Sequence, residues 1–389
     1  MPTPFSSRMH LLSGEGAFEV LARARELERL GREVIHLEIG QPDFPTPRHI
    51  RLAAAHAMEE GFTGYTPSPG LWECREAIAD DASRARRVTI RPESVCVTPG
   101  AKPIIFFGML ALVNPGDEVI YPDPGFPIYA SCIRFAGGTP VPIPLREENG
   151  FRLDPGELAS LVTPRTRVVL INSPHNPTGS ALSREDIERI CEVCLSHGLS
   201  LMSDEPYRRI LYEGEFCSPL SVPGMAERTL VIDGFSKTYA MTGWRLGFGI
   251  GPADLIEGIS LLQTNCTSCT AAFTQMAGVA ALRGPQDEAE AMVAEFRRRR
   301  DIIVQGLNEI PGVSCVTPAG AFYAWPNVKV HAASGVESLA RRLLDEVGVA
   351  CMWGTSFGAQ GEGYLRLSYA SSVDNIREAL RRIRSLVSA

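Results

Sequence analysis

Several short apolar runs in this chain lack polar alternation, and that property narrows the fold sharply. Val168–Asn172 (VVLIN) and Thr229–Gly234 (TLVIDG) are hydrophobic on both sides of a period-2 strand. Such a strand must be covered on both faces, the condition of a parallel sheet packed between helices. Further candidate strands are Val95–Thr98, Glu118–Tyr121, Thr139–Ile143, Ser200–Asp204 and Arg245–Ile250. Helical patterns fill the gaps, among them Pro103–Leu112, Glu185–His197 and Ala253–Thr264, giving the alternation of an α/β protein. At 389 residues, 44% of them hydrophobic, the chain can bury a large core.

The strand ends carry the chemistry. TLVIDGF delivers Ser236-Lys237-Thr238, with Arg245 eight residues beyond the lysine. SPHNPTG (Ser173–Gly179) follows VVLIN, and Met202–Tyr207 (MSDEPY) closes another run. A lysine, an aspartate, an asparagine, a tyrosine and an arginine at several strand ends suit pyridoxal 5′-phosphate (PLP). Lys237 is the candidate to hold the aldehyde as an imine and to shuttle a proton. A free lysine is a poor base near neutrality, so it needs an electropositive, partly desolvated pocket. Asp204 is the candidate partner of the pyridine nitrogen, because only a protonated ring is a strong electron sink. Tyr207 and Asn176 would bond the ring's 3′-oxygen. Arg245 and Ser236 would bind the phosphate, the guanidinium matching it bidentately. Gly100-Ala101-Lys102 opens the helix PIIFFGMLALV, and its amides either cradle phosphate or form an ordinary strand-to-helix turn.

These residues resemble the fold-type I, class I/II PLP-dependent aminotransferases, in particular the branch of bacterial aspartate aminotransferases. The landmarks run in family order: IGQPDF (Ile39–Phe44), GYTPSPG (Gly64–Gly70), TPGAK (Thr98–Lys102), YPDPGFP (Tyr121–Pro127), SPHNPTG, SDEPY, FSKT with Arg245, and YLRLSYA (Tyr364–Ala370). The resemblance implies a three-layer PLP-transferase fold with a mostly parallel central sheet and a smaller α+β domain. It places a large PLP-binding domain at 46–283 and a small, mobile domain at 1–45 plus 284–389. It implies that Phe126 stacks on the cofactor and that Tyr65 reaches the phosphate of a neighbouring subunit in a homodimer with shared sites. Arg366 would pair with the substrate α-carboxylate, assisted by the Gly40 N–H. Lys102 would approach a distal carboxylate, favouring glutamate or aspartate as amino donor, although Pro103 and the Gly-Ala pair depart from the branch's pattern. The implied reaction is ping-pong transamination with a 2-oxo acid. A PLP lyase or synthase, working by elimination or cyclisation, is the alternative, supported by His175 in HNPTG. His175 itself reads as a proton relay or as a loop residue supporting Asn176.

The remaining features bound the reading. A net charge of −7, with an isoelectric point near 5.6, gives no reason to expect nucleic acid. The polar, proline-interrupted start MPTPFSSRMH and an apolar run no longer than Ile104–Val113 predict a cytoplasmic protein with no membrane span. Cys191 with Cys194, and Cys266 with Cys269, have zinc-like spacing. The first pair falls on one apolar stripe of a helix, however, so buried or free thiols and no metal are expected. GFGIGP (Gly247–Pro252) continues a strand and does not read as a dinucleotide loop. Arg297–Arg300 read as the solvated face of a long helix.

Overall fold

The computed structural model describes residues 5–14 and 16–388. Its centre is a seven-stranded sheet to which each of the seven runs contributes one strand. In spatial order these are Val95–Thr98, Gly247–Ile250, Thr229–Gly234, Ser200–Asp204, Thr166–Asn172, Glu118–Asp123 and Thr139–Pro144. Gly247–Ile250 runs antiparallel to both neighbours, and every other pairing is parallel.

Both faces of the sheet are covered, as the unalternated runs require. Val168, Leu170, Met202, Leu230 and Ile232 pack with Ile104, Ile105 and Met109 of helix Lys102–Leu112. Their strand neighbours Val169, Ile171 and Leu201 face the other way, against Ile187, Ile190, Cys191 and Cys194 of helix Arg184–His197. That helix starts where Ser183 and Asp186 cap each other's backbone N–H groups. Cys191 and Cys194 are fully buried among these apolar side chains, which pushes the Cys194 thiol up to about 12.

A second assembly joins the chain's beginning and end. Ile35–His36 pairs in parallel with Val349–Ala350. Met352–Trp353, Leu365–Ser368 and Tyr323–Ala324 form a small antiparallel sheet. Helices Asp287–Asn308, Val336–Val347 and Val373–Val387 share one apolar core with these strands, through Phe296, Leu343 and Ile376 among others. Helix Gly16–Arg29 sets Val20, Ala24 and Leu27 in a core with Ile120 and Trp325.

Two expectations need correction. Arg245 is not a strand residue: a 3-10 turn at Thr242–Trp244 leaves it left-handed, at φ 53°, and the strand begins at Gly247. Arg299 and Arg300 do not belong to a solvated face, since both are buried. Arg299 reaches Asp43 at 2.7 Å, and Arg300 reaches Glu213 at 2.8 Å. Besides the local partners Glu295 and Asp301, these two carboxylates are remote in sequence, which a helical pattern read in isolation does not reveal.

A buried ion network underlies the end of the strand Ser200–Asp204. Arg86, whose side chain is fully buried, donates to Glu205 at 2.6 Å and to Asp233 at 3.2 Å. Arg208 joins Asp233, at 2.6 Å, to Asp81, and Arg209 meets Asp81 at 2.5 Å. Three cations thus neutralise three anions. Removing one partner from such a set strands a buried charge. Arg208→Ala should therefore lower the free energy of unfolding by ~3–5 kcal/mol, measured by urea titration. A loss within experimental error would mean that water already solvates the cluster.

Candidate active site

The carboxyl ends of the parallel strands open into a cavity of about 490 Å³. It is lined by Gly40, Ala101, Lys102, Phe126, Asn176, Asp204, Tyr207, Ser236, Lys237, Arg245 and Arg366, together with Tyr129 and Tyr323. Switch points at such strand ends are where open α/β sheets place ligands.

Asp204, the last residue of its strand, is 5% exposed. Burial raises its carboxyl to about 7, with nearby Asp233 and Glu205 adding to the rise and the Tyr129 hydroxyl and Lys237 opposing it. Tyr129 donates to Asp204 Oδ2 at 2.5 Å, and the Asn172 amide donates to the Asp204 carbonyl at 2.8 Å. The same Asn172 accepts the Asn176 N–H through its Oδ1, at 2.8 Å. One strand-end asparagine therefore fixes both the aspartate and the HNPTG loop.

Asn176 accepts a hydrogen bond from Arg366 Nη1 at 3.2 Å. Because arginine only donates, that bond consumes the amide oxygen and leaves the NH2 end as the donor for the cavity. Arg366 lies in strand Leu365–Ser368 and is buried, not solvent-facing. It also donates to the Glu38 carbonyl, and its guanidinium lies 4.7 Å from the Tyr323 ring centroid and 4.8 Å from that of Phe357. Lys237 Nζ donates to the Gly40 carbonyl at 2.6 Å and lies 5.9 Å from the rings of both Tyr207 and Phe322. Gly40 thus meets the lysine with its carbonyl, a contact beyond the N–H role expected for it. Tyr207 is buried, with its hydroxyl 2.7 Å from that of Tyr323.

Also in the lining, Arg245 donates to the carbonyls of Thr242, at 2.9 Å, and Pro99, at 3.3 Å. Gly100, at φ +91°, lets it lie close, since a Cβ there would sit 2.2 Å from Arg245 Nη2. A guanidinium thereby rests on the amino end of helix Lys102–Leu112, where the backbone amides and helix dipole also favour an anion. The Lys102 ammonium lies 5.3 Å from the Phe126 ring centroid, and Phe126 meets Tyr129 edge-on at 5.7 Å.

Tyr65 does not join this cavity. It is 92% exposed. His175 is buried with Nδ1 2.8 Å from the Thr178 hydroxyl, and burial lowers it to about 3. A ring held neutral in that way suits a loop support better than a proton relay. Among the described residues no group of three or more His, Cys, Asp or Glu side chains could hold a metal ion, and no helix is long and apolar enough to cross a membrane. Sequence reasoning missed Asn172, Tyr129, Tyr323 and Glu38. Only Asn172 carried a signal, as the polar residue that ends VVLIN.

The residues fit a phosphorylated pyridine. The glycine-floored cradle beneath Arg245 suits a dianion, the buried carboxyl of Asp204 suits a ring nitrogen that brings a proton, and Lys237 lines the same cavity.

The profile of the family "Aminotransferase class I and II" matches residues 32–383. An aspartate aminotransferase of Geobacillus stearothermophilus is 39% identical over 99% of each chain. An aspartate/prephenate aminotransferase of Cereibacter sphaeroides is 40% identical over 94% of each. The structure of Thermus thermophilus aspartate aminotransferase with maleate superposes with a TM-score of 0.94, at 38% identity, covering 99% of this chain and 100% of that one. This chain belongs to the class I and II aminotransferases. It is a PLP-dependent transaminase, and these relatives do not favour the lyase or synthase alternative.

The raised carboxyl of Asp204 has a consequence for the protein stripped of PLP. An acid whose folded value lies above its unfolded one favours the fold while protonated and costs stability once ionised. The stripped wild type should therefore lose stability relative to Asp204→Asn as pH rises from about 4, the unfolded value, through about 7. Thermal melting of the two proteins across that window measures the difference, and parallel curves would contradict it.

Proposed function

We propose that this transaminase exchanges amino groups between a dicarboxylic amino acid, aspartate or glutamate, and a 2-oxo acid in a ping-pong cycle. The observation that carries this reading is the convergence of Lys237, Asp204, Asn176 and Arg366 on one cavity that also holds Lys102. Relatives named as aspartate aminotransferases support the substrate class.

When bound, PLP supplies the electron sink that makes the α-proton of an amino acid acidic. The protein's part is to hold, orient and move protons. Arg366 receives the α-carboxylate in the bidentate geometry to which a guanidinium is suited. Its present bond to Asn176 and its seat over Tyr323 keep the fork in place before substrate arrives. Lys237 takes the proton from the α-carbon and returns it across the cavity, flanked by the Tyr207 and Phe322 rings that restrict water. Asp204 holds the proton of the ring nitrogen. Tyr207 and the NH2 end of Asn176 donate to the ring's 3′-oxygen. Arg245, Ser236 and the amides at Gly100, Ala101 and Lys102 hold the phosphate, and Phe126 covers a ring face.

The wider organisation follows the same reading. Residues 46–283 act as the PLP-binding unit, and 1–45 with 284–389 act as a smaller unit that shifts when substrate binds. Tyr65, exposed on one protomer, completes the phosphate site of a second copy in a cytoplasmic homodimer.

Two experiments test the assignment. Lys237 is one of only three lysines in the chain, with Lys102 and Lys329. Borohydride reduction of the loaded enzyme followed by peptide mapping should mark Lys237 alone, and Lys237→Ala should abolish turnover while still binding PLP. A mark on Lys102 or Lys329 would reassign the site. Lys102→Ala should raise KM for aspartate and glutamate by the equivalent of ~1.5–3 kcal/mol, one charge-assisted hydrogen bond. Neutral donors should change far less. An equal loss for all donors would make Lys102 a phosphate or loop-ordering residue.

A further inference from the structure

Tyr323, which the sequence did not single out, touches Tyr207, Arg366 and Gly40. It is 1% exposed, and its hydroxyl lies 2.7 Å from that of Tyr207. The Arg366 guanidinium sits over its ring at 4.7 Å. Its oxygen also presses on the backbone that receives Lys237: a Cβ on Gly40 would stand 2.1 Å from Tyr323 Oη, and the Gly40 carbonyl accepts Lys237 Nζ at 2.6 Å. Two functions thus meet on one side chain, an apolar face beneath a cation and a phenol against a phenol.

The phenol pair raises a question of direction. Each hydroxyl has one proton, so one of the two must donate and the other accept. A Tyr207 that turns its proton toward its neighbour has none to offer the cavity. A Tyr207 that accepts from Tyr323 keeps its own proton for a ligand, and accepting also polarises it into a better donor.

We propose that Tyr323 is a positioning residue: it donates to Tyr207, which turns the Tyr207 proton into the cavity toward the 3′-oxygen of PLP, while its ring seats Arg366. The inference rests on the reading of Tyr207 given above. Donation to the 3′-oxygen favours the form of the bound chromophore in which that oxygen carries more negative charge. Weakening the donation therefore moves the pH midpoint of the visible absorbance change upward.

The test is a spectrophotometric pH titration of PLP-loaded wild type, Tyr207→Phe, Tyr323→Phe and the double variant. Tyr207→Phe should raise the midpoint most. Tyr323→Phe should raise it by about half a unit to one unit, the scale of one neutral hydrogen bond acting at second hand. The double variant should match Tyr207→Phe alone, because the second phenol acts only through the first. Under Tyr323→Phe the KM for amino donors should stay within about twofold while kcat falls, since the ring under Arg366 remains. Tyr323→Leu, which loses that face, should raise KM as well. Should Tyr323→Phe fold poorly, 3-fluorotyrosine at 323 keeps the shape, donates more strongly and should lower the midpoint. A midpoint unmoved by Tyr323→Phe while Tyr207→Phe shifts it overturns the proposal alone, as do additive shifts in the double variant. A midpoint unmoved by Tyr207→Phe overturns the reading of Tyr207 and this inference with it.

Discussion

The burial of one carboxylate governs the arrangement of this active site. Asp204 stands at the end of a strand covered on both faces, where charge is poorly solvated and a carboxyl prefers its proton. The next residue is Glu205, and Asp233 lies near, so three acids crowd one strand end. Arg86, Arg208 and Arg209 absorb the charge of Glu205, Asp233 and Asp81, leaving Asp204 with the Tyr129 hydroxyl and Lys237. Guanidinium groups suit this task, since a planar fork can meet two buried carboxylates at once. The acid that faces the cavity thus keeps a hydroxyl partner, while guanidinium groups grip the acids behind it.

A second constraint is the short segment Glu38–Gly40. Its carbonyls receive two cations of the cavity lining, Arg366 at Glu38 and Lys237 at Gly40. The segment is itself held by the pairing of Ile35–His36 with Val349–Ala350, and by His36, whose ring bridges Glu28 at 3.0 Å and Glu38 at 2.8 Å. Hydrogen bonds to both carboxylates raise His36 to about 8, so its bridge is charged at neutral pH. A displacement of this strap would move the lysine and the arginine together.

Much of this was legible in the chain itself. Six of the seven strands could be read because a strand buried on both faces must be apolar throughout, a local pattern with one physical cause, whereas the edge strand Thr139–Pro144 is only partly buried. The residues of the cavity could be read because chemistry that needs a lysine, a carboxylate and an arginine at strand ends leaves conspicuous polar punctuation after apolar runs. Where the chain misled, the cause was non-local. Arg299 and Arg300 follow a helical pattern that suggests solvent, yet Asp43 and Glu213 draw them inward from 256 and 87 residues away. Arg245 was read as strand because its neighbours are, whereas a left-handed turn is needed to bring its guanidinium onto Gly100.

Sequence by itself therefore determined the layered α/β fold, the cofactor class and most of the polar lining, since each depends on residue type and local periodicity. Tertiary structure alone decided how those groups are tuned. Tyr129 is 75 residues from Asp204, and Tyr323 is 116 from Tyr207. Both tyrosines sit in stretches whose pattern says only that they are buried. A hydrogen bond depends on ångströms between two atoms, and the spacing of residues along a chain carries no record of that distance until the strands have stacked.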